Sequence, residues 1–526
     1  MAKFQCKVPK AKHIEIYDTS LRDGTQMEGI SFSLEDKLMI AVKLDELGVD
    51  FIEGGFPLSN AKDIAFFKEI RKKNLKNAKI CAFGMTRRKD ILAKDDAGLI
   101  ALQKSMAPVC CIVGKTWDFQ VTEVLNVSLK ENLAMIHDSM AYLKSKGREV
   151  FFDAEHFFDG WKANPEYSIK VLQAASSGGA CRLVLCDTNG GSLDTEIAEI
   201  IGEVKKTIDT PLGIHTHNDS GLAVANSIVA VRSGVVQVQG TINGIGERVG
   251  NADLCTIIAN LKLKMGYHCL KKNSLVKLTE ISRYIYEMEN VNVPMGQPYT
   301  GLNSFTHKGG MHVHAVNKHS RCYEHVSPES VGNTRRIVIS ELSGASNLLA
   351  KNEKLRVAKD KKLVRKILHS VQDMENNGYQ FESADGSFDI LVRKAMGNFT
   401  PAFELDHYRT VNLKMVNQKP VTEASVKLLV KGKVEHCVAE GDGPVNALDQ
   451  ALRKCLETHY PQLKIMQLLD YRVRVVNSKE ATAAKVRVII ESRAKDRIFG
   501  TIGVSENLIE ASWLALCDSY NYQLLK

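Results

Sequence analysis

The chain has 526 residues, 44% of them apolar and 25% charged, with a formal net charge of +9. These proportions are ordinary for a folded chain and exclude a disordered, collagen-like or small disulfide-stapled protein, and at about 100–200 residues per domain the length predicts roughly three domains. Twelve Cys, none in a Cys-x-x-Cys pair and most in apolar runs (Cys81, Cys110, Cys111, Cys181, Cys186), read as small hydrophobes in a reducing compartment.

Residues Met1 to His13 are polar and basic without an apolar core, so no signal peptide is expected. No run of about 20 apolar residues predicts a membrane span, and the expected location is cytoplasmic. Apolar strand-like runs then follow at 14–17, 50–54, 79–83, 108–113, 149–154, 182–187, 211–215 and 235–241. Amphipathic helix-like runs lie between and after them, at 34–47, 61–73, 89–104, 128–146, 166–177, 194–207, 219–233 and 252–265. Strict alternation implies a parallel sheet, and eight units match a (β/α)8 TIM barrel, class α/β. A doubly wound open sheet is the rival. The first strand is not followed by Gly-x-Gly-x-x-Gly, and no phosphate loop occurs, which argues against a nucleotide or dinucleotide enzyme.

From about 272 to 395 the pattern turns to helical segments and polar loops. Lys351, Lys354, Lys359, Lys361, Lys362, Arg365 and Lys366 crowd one stretch of it. They read as a solvated helix face, or as an attractor for a small anion. No nucleic-acid motif accompanies them. From about 400, alternating strands return with a weak internal repeat: Val434–Val445 leads into a helix-like Asn446–Leu456, and Arg497–Ser505 into a helix-like Glu506–Ser519. The expected organisation is a barrel at 1–271, a mainly helical linker at 272–395, and a C-terminal α+β pseudo-symmetric domain at 396–526.

Parallel barrels carry function at the C-terminal ends of their strands. Strand 1 ends in Asp18-Thr19-Ser20-Leu21-Arg22-Asp23-Gly24-Thr25-Gln26, where a cation and a carboxylate stand side by side. Strand 7 ends in His215-Thr216-His217, whose two imidazoles share one face because strand side chains repeat every two residues. Strand 8 leads to Gly244-Ile245-Gly246-Glu247-Arg248-Val249-Gly250-Asn251. In a closed barrel, strand 8 neighbours strands 7 and 1. Asp23, His215, His217 and Asn251 therefore share one rim, and two nitrogens with two oxygens suit a divalent cation, Mg, Mn or Zn. Glu53, Glu155-His156 and Asp187-Thr188-Asn189 end strands 2, 5 and 6. Glu155 is a candidate acid, base or orienting group, and Thr188 a donor to a substrate oxygen. Outside the barrel, Phe305-Thr306-His307-Lys308-Gly309-Gly310-Met311-His312-Val313-His314 suggests a mobile loop with an acid–base group.

Together these motifs resemble the family of α-isopropylmalate, citramalate and homocitrate synthases, metal-dependent acyltransferases on a TIM barrel. The carriers are Leu21-Arg22-Asp23-Gly24 with Gln26, His215–Asp219, Gly246–Asn251, Gly310-Met311-His312, and, in the regulatory region, Gly441–Val445 and Ile509–Trp513. Asp18–Ser33, Tyr323–Val326 and Ile339–Asn347 are most similar to the citramalate-forming branch, and Thr25 stands where isopropylmalate synthases commonly have Glu. The resemblance implies a Claisen-type condensation of acetyl-CoA with a 2-oxo acid, pyruvate for that branch, followed by thioester hydrolysis. It implies Asp23, His215, His217 and Asn251 as metal ligands, and Arg22, Thr188 and Gln26 on the substrate. Arg22, Glu155, His312 and Tyr323 would act in catalysis, with His312 from a neighbouring subunit of a homodimer. The C-terminal domain would bind an amino-acid effector, isoleucine. A hydroxyacyl-CoA lyase on the same barrel, an isopropylmalate synthase, and a non-catalytic amino-acid sensor are the alternatives. Phe83, Met85 and Phe152 are expected pocket walls that decide the oxo acid.

Overall fold

The computed structural model describes residues 13–271, 273–338, 361–417, 419–476, 484–495 and 497–525. Ile339–Asn347 and the side chains of Lys351, Lys354, Lys359 and Lys361 lie outside the described residues. The chain forms two compact units. One holds the residues up to Phe305 together with Val326–Thr334, and the other holds Thr306–His325 and the residues from Arg335 onward.

The first unit is a closed barrel of eight parallel strands in sequence order, β1 pairing β8. The strands are β1 (Glu15–Asp18), β2 (Phe51–Gly55), β3 (Lys79–Met85), β4 (Val109–Lys115), β5 (Glu149–Glu155), β6 (Arg182–Asp187), β7 (Leu212–Thr216) and β8 (Gln237–Gly240). Closure removes the open-sheet alternative. Period-two alternation sorts each strand into an inward and an outward set. The inward set at the lower end, Tyr17, Phe51, Cys81, Val109, Cys111 and Phe151, forms a small apolar plug of its own. Its rings pack at centroid distances of 5.1 to 6.1 Å. The outward set packs on the helices. Phe152 belongs to that set, against Ile136 and Gly114. It is not a pocket wall, because its odd-numbered neighbours Phe151 and Asp153 take the inward positions.

Local signals set the helix ends. Ser33 caps Leu34–Leu47 by accepting from the Asp36 N–H, and Asp36 Oδ2 accepts the Ser33 N–H at 2.8 Å, a capping box. The helix expected at 89–104 begins only at Ala97 and runs to Ser105, because the Asp96 carboxylate accepts from the N–H groups of Gly98 and Leu99 and fixes the start there. Two short helices absent from the sequence reading, Asp118–Glu123 and Phe157–Ala163, follow β4 and β5. All the described cysteines are free, and among the described residues no helix is long and apolar enough to cross a membrane.

In the second unit, the Gly/His-rich stretch is not a loop. Thr306–His307 is β9, paired with β10 (Arg336–Ile337), and Gly310–Lys318 is a helix that buries Val313 and Val316. In the helix Lys361–Asn376, Val364, Ile367 and Val371 are buried while Lys362, Arg365 and Lys366 are exposed, an amphipathic pattern. The C-terminal repeat is real. Three antiparallel strands, β11 (Glu404–Leu413), β12 (Val421–Val430) and β13 (Lys433–Gly441), precede the helix Pro444–Glu457. The order recurs in β14 (Met466–Val475), β15 (Val486–Ala494), β16 (Arg497–Ser505) and the helix Leu508–Leu524. In β12, Thr422, Ala424, Val426, Leu428 and Val430 are buried in strict alternation. One core joins this face to Leu448, Leu452, Trp513 and Leu516 of the two helices.

Candidate active site and metal centre

Above the apolar plug the inward positions turn polar. Tyr17 donates its hydroxyl proton to Glu53 Oε2 at 2.6 Å, and Arg22 Nε donates to Glu53 Oε1 at 2.5 Å. Arg22 also lies 3.4 Å from Asp23 Oδ2 and stacks over the Phe83 ring at 3.9 Å from its centroid. Burial works against the Arg22 charge, but Glu53 and then Asp23 outweigh it and hold the guanidinium well above its ordinary value. Burial pushes Glu53 up despite that partner.

Asp23, His215 and His217, all buried, converge at the upper end of the barrel, with one ligand atom of each within 4.8 Å of the others. The Nε2 atoms of the two imidazoles face each other at 3.3 Å, and His215 Nε2 lies 3.3 Å from Asp23 Oδ2. The strand-8 loop brings Asn251 into the same cluster. Its Nδ2 donates to Asp23 Oδ2 at 3.0 Å and lies 3.4 Å from His215 Nε2. Glycine makes this loop possible. A Cβ on Gly246 would sit 2.0 Å from Asn251 Oδ1, and one on Gly250, at φ +99°, 2.0 Å from the Gly244 carbonyl.

Burial works against the Asp23 charge. Arg22, then His215, overcome it and hold the carboxyl well below the usual carboxylate range. Burial alone would lower His215, but the Asp23 hydrogen bond and charge hold it above its ordinary value. Burial and the neighbouring His215 push His217 down to about 4. A carboxylate oxygen facing two imidazole Nε2 atoms in a buried place favours a cation between them. The residues fit a divalent ion in a second respect. Asn251 Oδ1 and His217 Nδ1 are buried without hydrogen-bond partners among the described residues, and turning the Asn251 amide over would bring its oxygen toward the cluster.

The cluster floors a cavity of about 270 Å³ whose lining includes Arg22, Asp23, Gln26, Thr188, His215 and His217. Phe83, Met85 and Val113 supply its apolar wall, and Glu155 faces it. Thr188 Oγ1 accepts the His156 N–H at 2.8 Å, which leaves its own proton to donate. Sequence reading missed Lys115, whose Nζ lies 2.5 Å from Glu155 Oε2. The two are register partners on β4 and β5, visible only once the strands are paired. It also missed Arg248, which donates to both oxygens of Asp219 at 2.8 and 2.9 Å and to the Thr188 carbonyl at 2.8 Å, strapping three loops together.

His312 and Tyr323 belong to the second unit. Their rings stack at 4.1 Å, with both side chains exposed. The next residue, Glu324, is buried and accepts from Arg335 at 2.5 and 2.6 Å and lies 3.2 Å from His307 Nε2.

Comparison with known proteins gives three family matches in order. Residues 13–285 match a model described as HMGL-like, 299–379 a homocitrate synthase post-HMGL domain, and 382–524 a LeuA allosteric (dimerisation) domain. The chain is 54% identical to an (R)-citramalate synthase of Geobacter sulfurreducens and 50% identical to one of Aquifex aeolicus, each alignment covering 98% of both chains. It is 32% identical to a 2-isopropylmalate synthase of Methanocaldococcus jannaschii over 98% of this chain and 95% of that one.

Proposed function

The chain belongs to the HMGL-like family and, within it, to the (R)-citramalate synthases, which are acyltransferases; on that premise we propose how its residues carry the reaction. Acetyl-CoA loses a methyl proton, the resulting carbon joins the ketone carbon of pyruvate, and water cleaves the thioester to release CoA. The observation that carries this reading is the buried convergence of Asp23, His215 and His217 beside a clamped Arg22.

Asp23, His215, His217 and Asn251 would hold a divalent ion, which would supply Lewis-acid polarisation for a ketone oxygen. Arg22, held by Glu53 and Phe83, places a fixed positive charge where the alkoxide develops and needs no rearrangement to do so. Thr188 donates to the oxo-acid carboxylate, and Gln26, in the cavity lining, orients it. Glu155, held in place by Lys115, takes part in removing the methyl proton. His312 and Tyr323 enter from the family resemblance and their stacked pairing. His312 completes the proton transfer and acts across a homodimer. The LeuA allosteric region supports a dimer and an effector, and isoleucine is the effector we assign.

The test is CoA-thiol release from acetyl-CoA by the metal-loaded protein, with pyruvate, 2-oxoisovalerate and 2-oxoglutarate supplied separately and a chelator control. Chelator-sensitive release with pyruvate is the expected result. Preference for 2-oxoisovalerate overturns the acceptor assignment, and no release with any acceptor overturns the chemistry.

A further inference from the structure

We infer that Gln239 and Asp153 form a positioning relay that fixes the tautomer of His215, so that its Nε2 presents a lone pair to the cation site. The inference rests on the metal-centre reading above and adds Gln239, which is not part of the cavity lining, and Asp153, which lines the cavity wall.

Gln239 and His215 are register partners on β8 and β7. Gln239 is wholly buried, and Asp153, on β5 across the barrel, is 3% exposed. Gln239 Nε2 donates to Asp153 Oδ1 at 3.0 Å, and Gln239 Oε1 lies 2.9 Å from His215 Nδ1. The direction of this chain follows from chemistry alone. An ionised carboxylate only accepts, so the end of the amide facing Asp153 is the NH2. A carboxamide is planar and two-ended, so the other end is the oxygen. That oxygen accepts, so Nδ1 of His215 carries the proton. In the neutral ring the lone pair is then on Nε2, the atom that faces Asp23 and His217. A ligating imidazole is ordinarily oriented by whatever its second nitrogen donates to. Here the orienting charge is one amide further away. A carboxylate in this interior costs free energy that an apolar residue of the same size would not, and setting the polarity of the relay is what that charge contributes.

Asp153→Asn tests the relay at constant size, since an amide at 153 accepts or donates and leaves Gln239 free to face either way. The chain is labelled with 15N-histidine, His215 is assigned by comparison with His215→Ala, and tautomers are read in alkaline buffer without metal. Cobalt(II) affinity is read separately from its visible absorption. The wild-type chain is expected to hold His215 as the Nδ1–H form. Asp153→Asn and Gln239→Leu are each expected to give mixed tautomers and cobalt binding weaker by about 10- to 100-fold. The double variant Asp153→Asn with Gln239→Glu rebuilds the polarity, because a carboxylate at 239 accepts from both neighbours. It is expected to recover the Nδ1–H form and the affinity. A wild-type tautomer and affinity in Asp153→Asn, or no recovery in a folded double variant, overturns the relay. Undiminished cobalt binding by His215→Ala overturns the metal-centre reading instead.

Discussion

Arg22 and Glu53 meet at 2.5 Å inside the barrel, with the second oxygen of Glu53 held by the Tyr17 hydroxyl. The pair fixes the guanidinium by its Nε edge and leaves the rest of it at the cavity. Arg22→Lys keeps the charge and loses the fork. We expect kcat to fall by about 10²-fold or more, with a smaller change in KM, in steady-state assays of CoA release. Glu53→Gln removes one of the two carboxylates beside a part-buried cation and leaves Asp23 as its partner, and its melting temperature should drop in line with a cost below the about 3–5 kcal/mol of a fully unpaired buried charge.

Three of the four assigned ligands come from β7 and the strand-8 loop, so removing one should empty the site. His215→Ala is expected to lose bound divalent metal, measured by elemental analysis after gel filtration, and to lose turnover with it. Full metal content and full activity in that variant would sink the chelate. Chelator treatment of the unmodified chain should abolish CoA release, and added Mg, Mn or Zn should restore it.

Val113 stands with Phe83 and Met85 on the apolar wall of the cavity. Shortening it enlarges the space beyond the ketone without disturbing the Arg22–Phe83 stack. Val113→Ala should raise kcat/KM for 2-oxoisovalerate relative to pyruvate by about tenfold or more, since a methylene or two in such a pocket is worth about 1–3 kcal/mol. An unchanged ratio would place acceptor selection elsewhere.

Glu289 ends the helix Leu278–Met288 and is 4% exposed, with neither carboxylate oxygen hydrogen-bonded among the described residues. Burial pushes its carboxyl up from 4.5 to about 8. Between those values the unfolded chain has released the proton and the folded chain still holds it. Stability from this group is therefore complete below pH 4.5 and lost as pH rises toward 8, at about 1.4 kcal/mol per unit of difference. Glu289→Met should leave the melting temperature nearly unchanged at pH 5 and raise it at pH 8. A gain of equal size at both pH values contradicts the assignment.

The barrel was legible because strand–helix alternation is local, and the cation cluster because its members sit at strand ends next to recognisable turns. Asp23, His215 and His217 needed only the closure rule to be brought together. Gln239, Asp153 and Lys115 carry no such marker. Each lies within a strand; Lys115 and Gln239 meet their partners through the register of neighbouring strands, and Asp153 reaches Gln239 across the barrel, which no local pattern encodes. Phe152 was misplaced for a related reason: an apolar strand buried on both faces gives no sign of which parity points inward. The Gly/His-rich stretch was misread because two glycines suggest a loop, whereas Val313 and Val316 at helical spacing fix it as a helix.

The plug of Tyr17, Phe51 and Phe151 has a kinetic corollary. It fills the lower end of the barrel beneath the cavity, which closes that end to reactants. Whichever reactant occupies the floor must arrive first and is sealed in by the second, and the products must leave in the reverse order of depth. On the proposed function, with pyruvate at the floor and acetyl-CoA above it, addition is compulsory-ordered, and a dead-end acetyl-CoA analogue should be competitive with acetyl-CoA and uncompetitive with pyruvate.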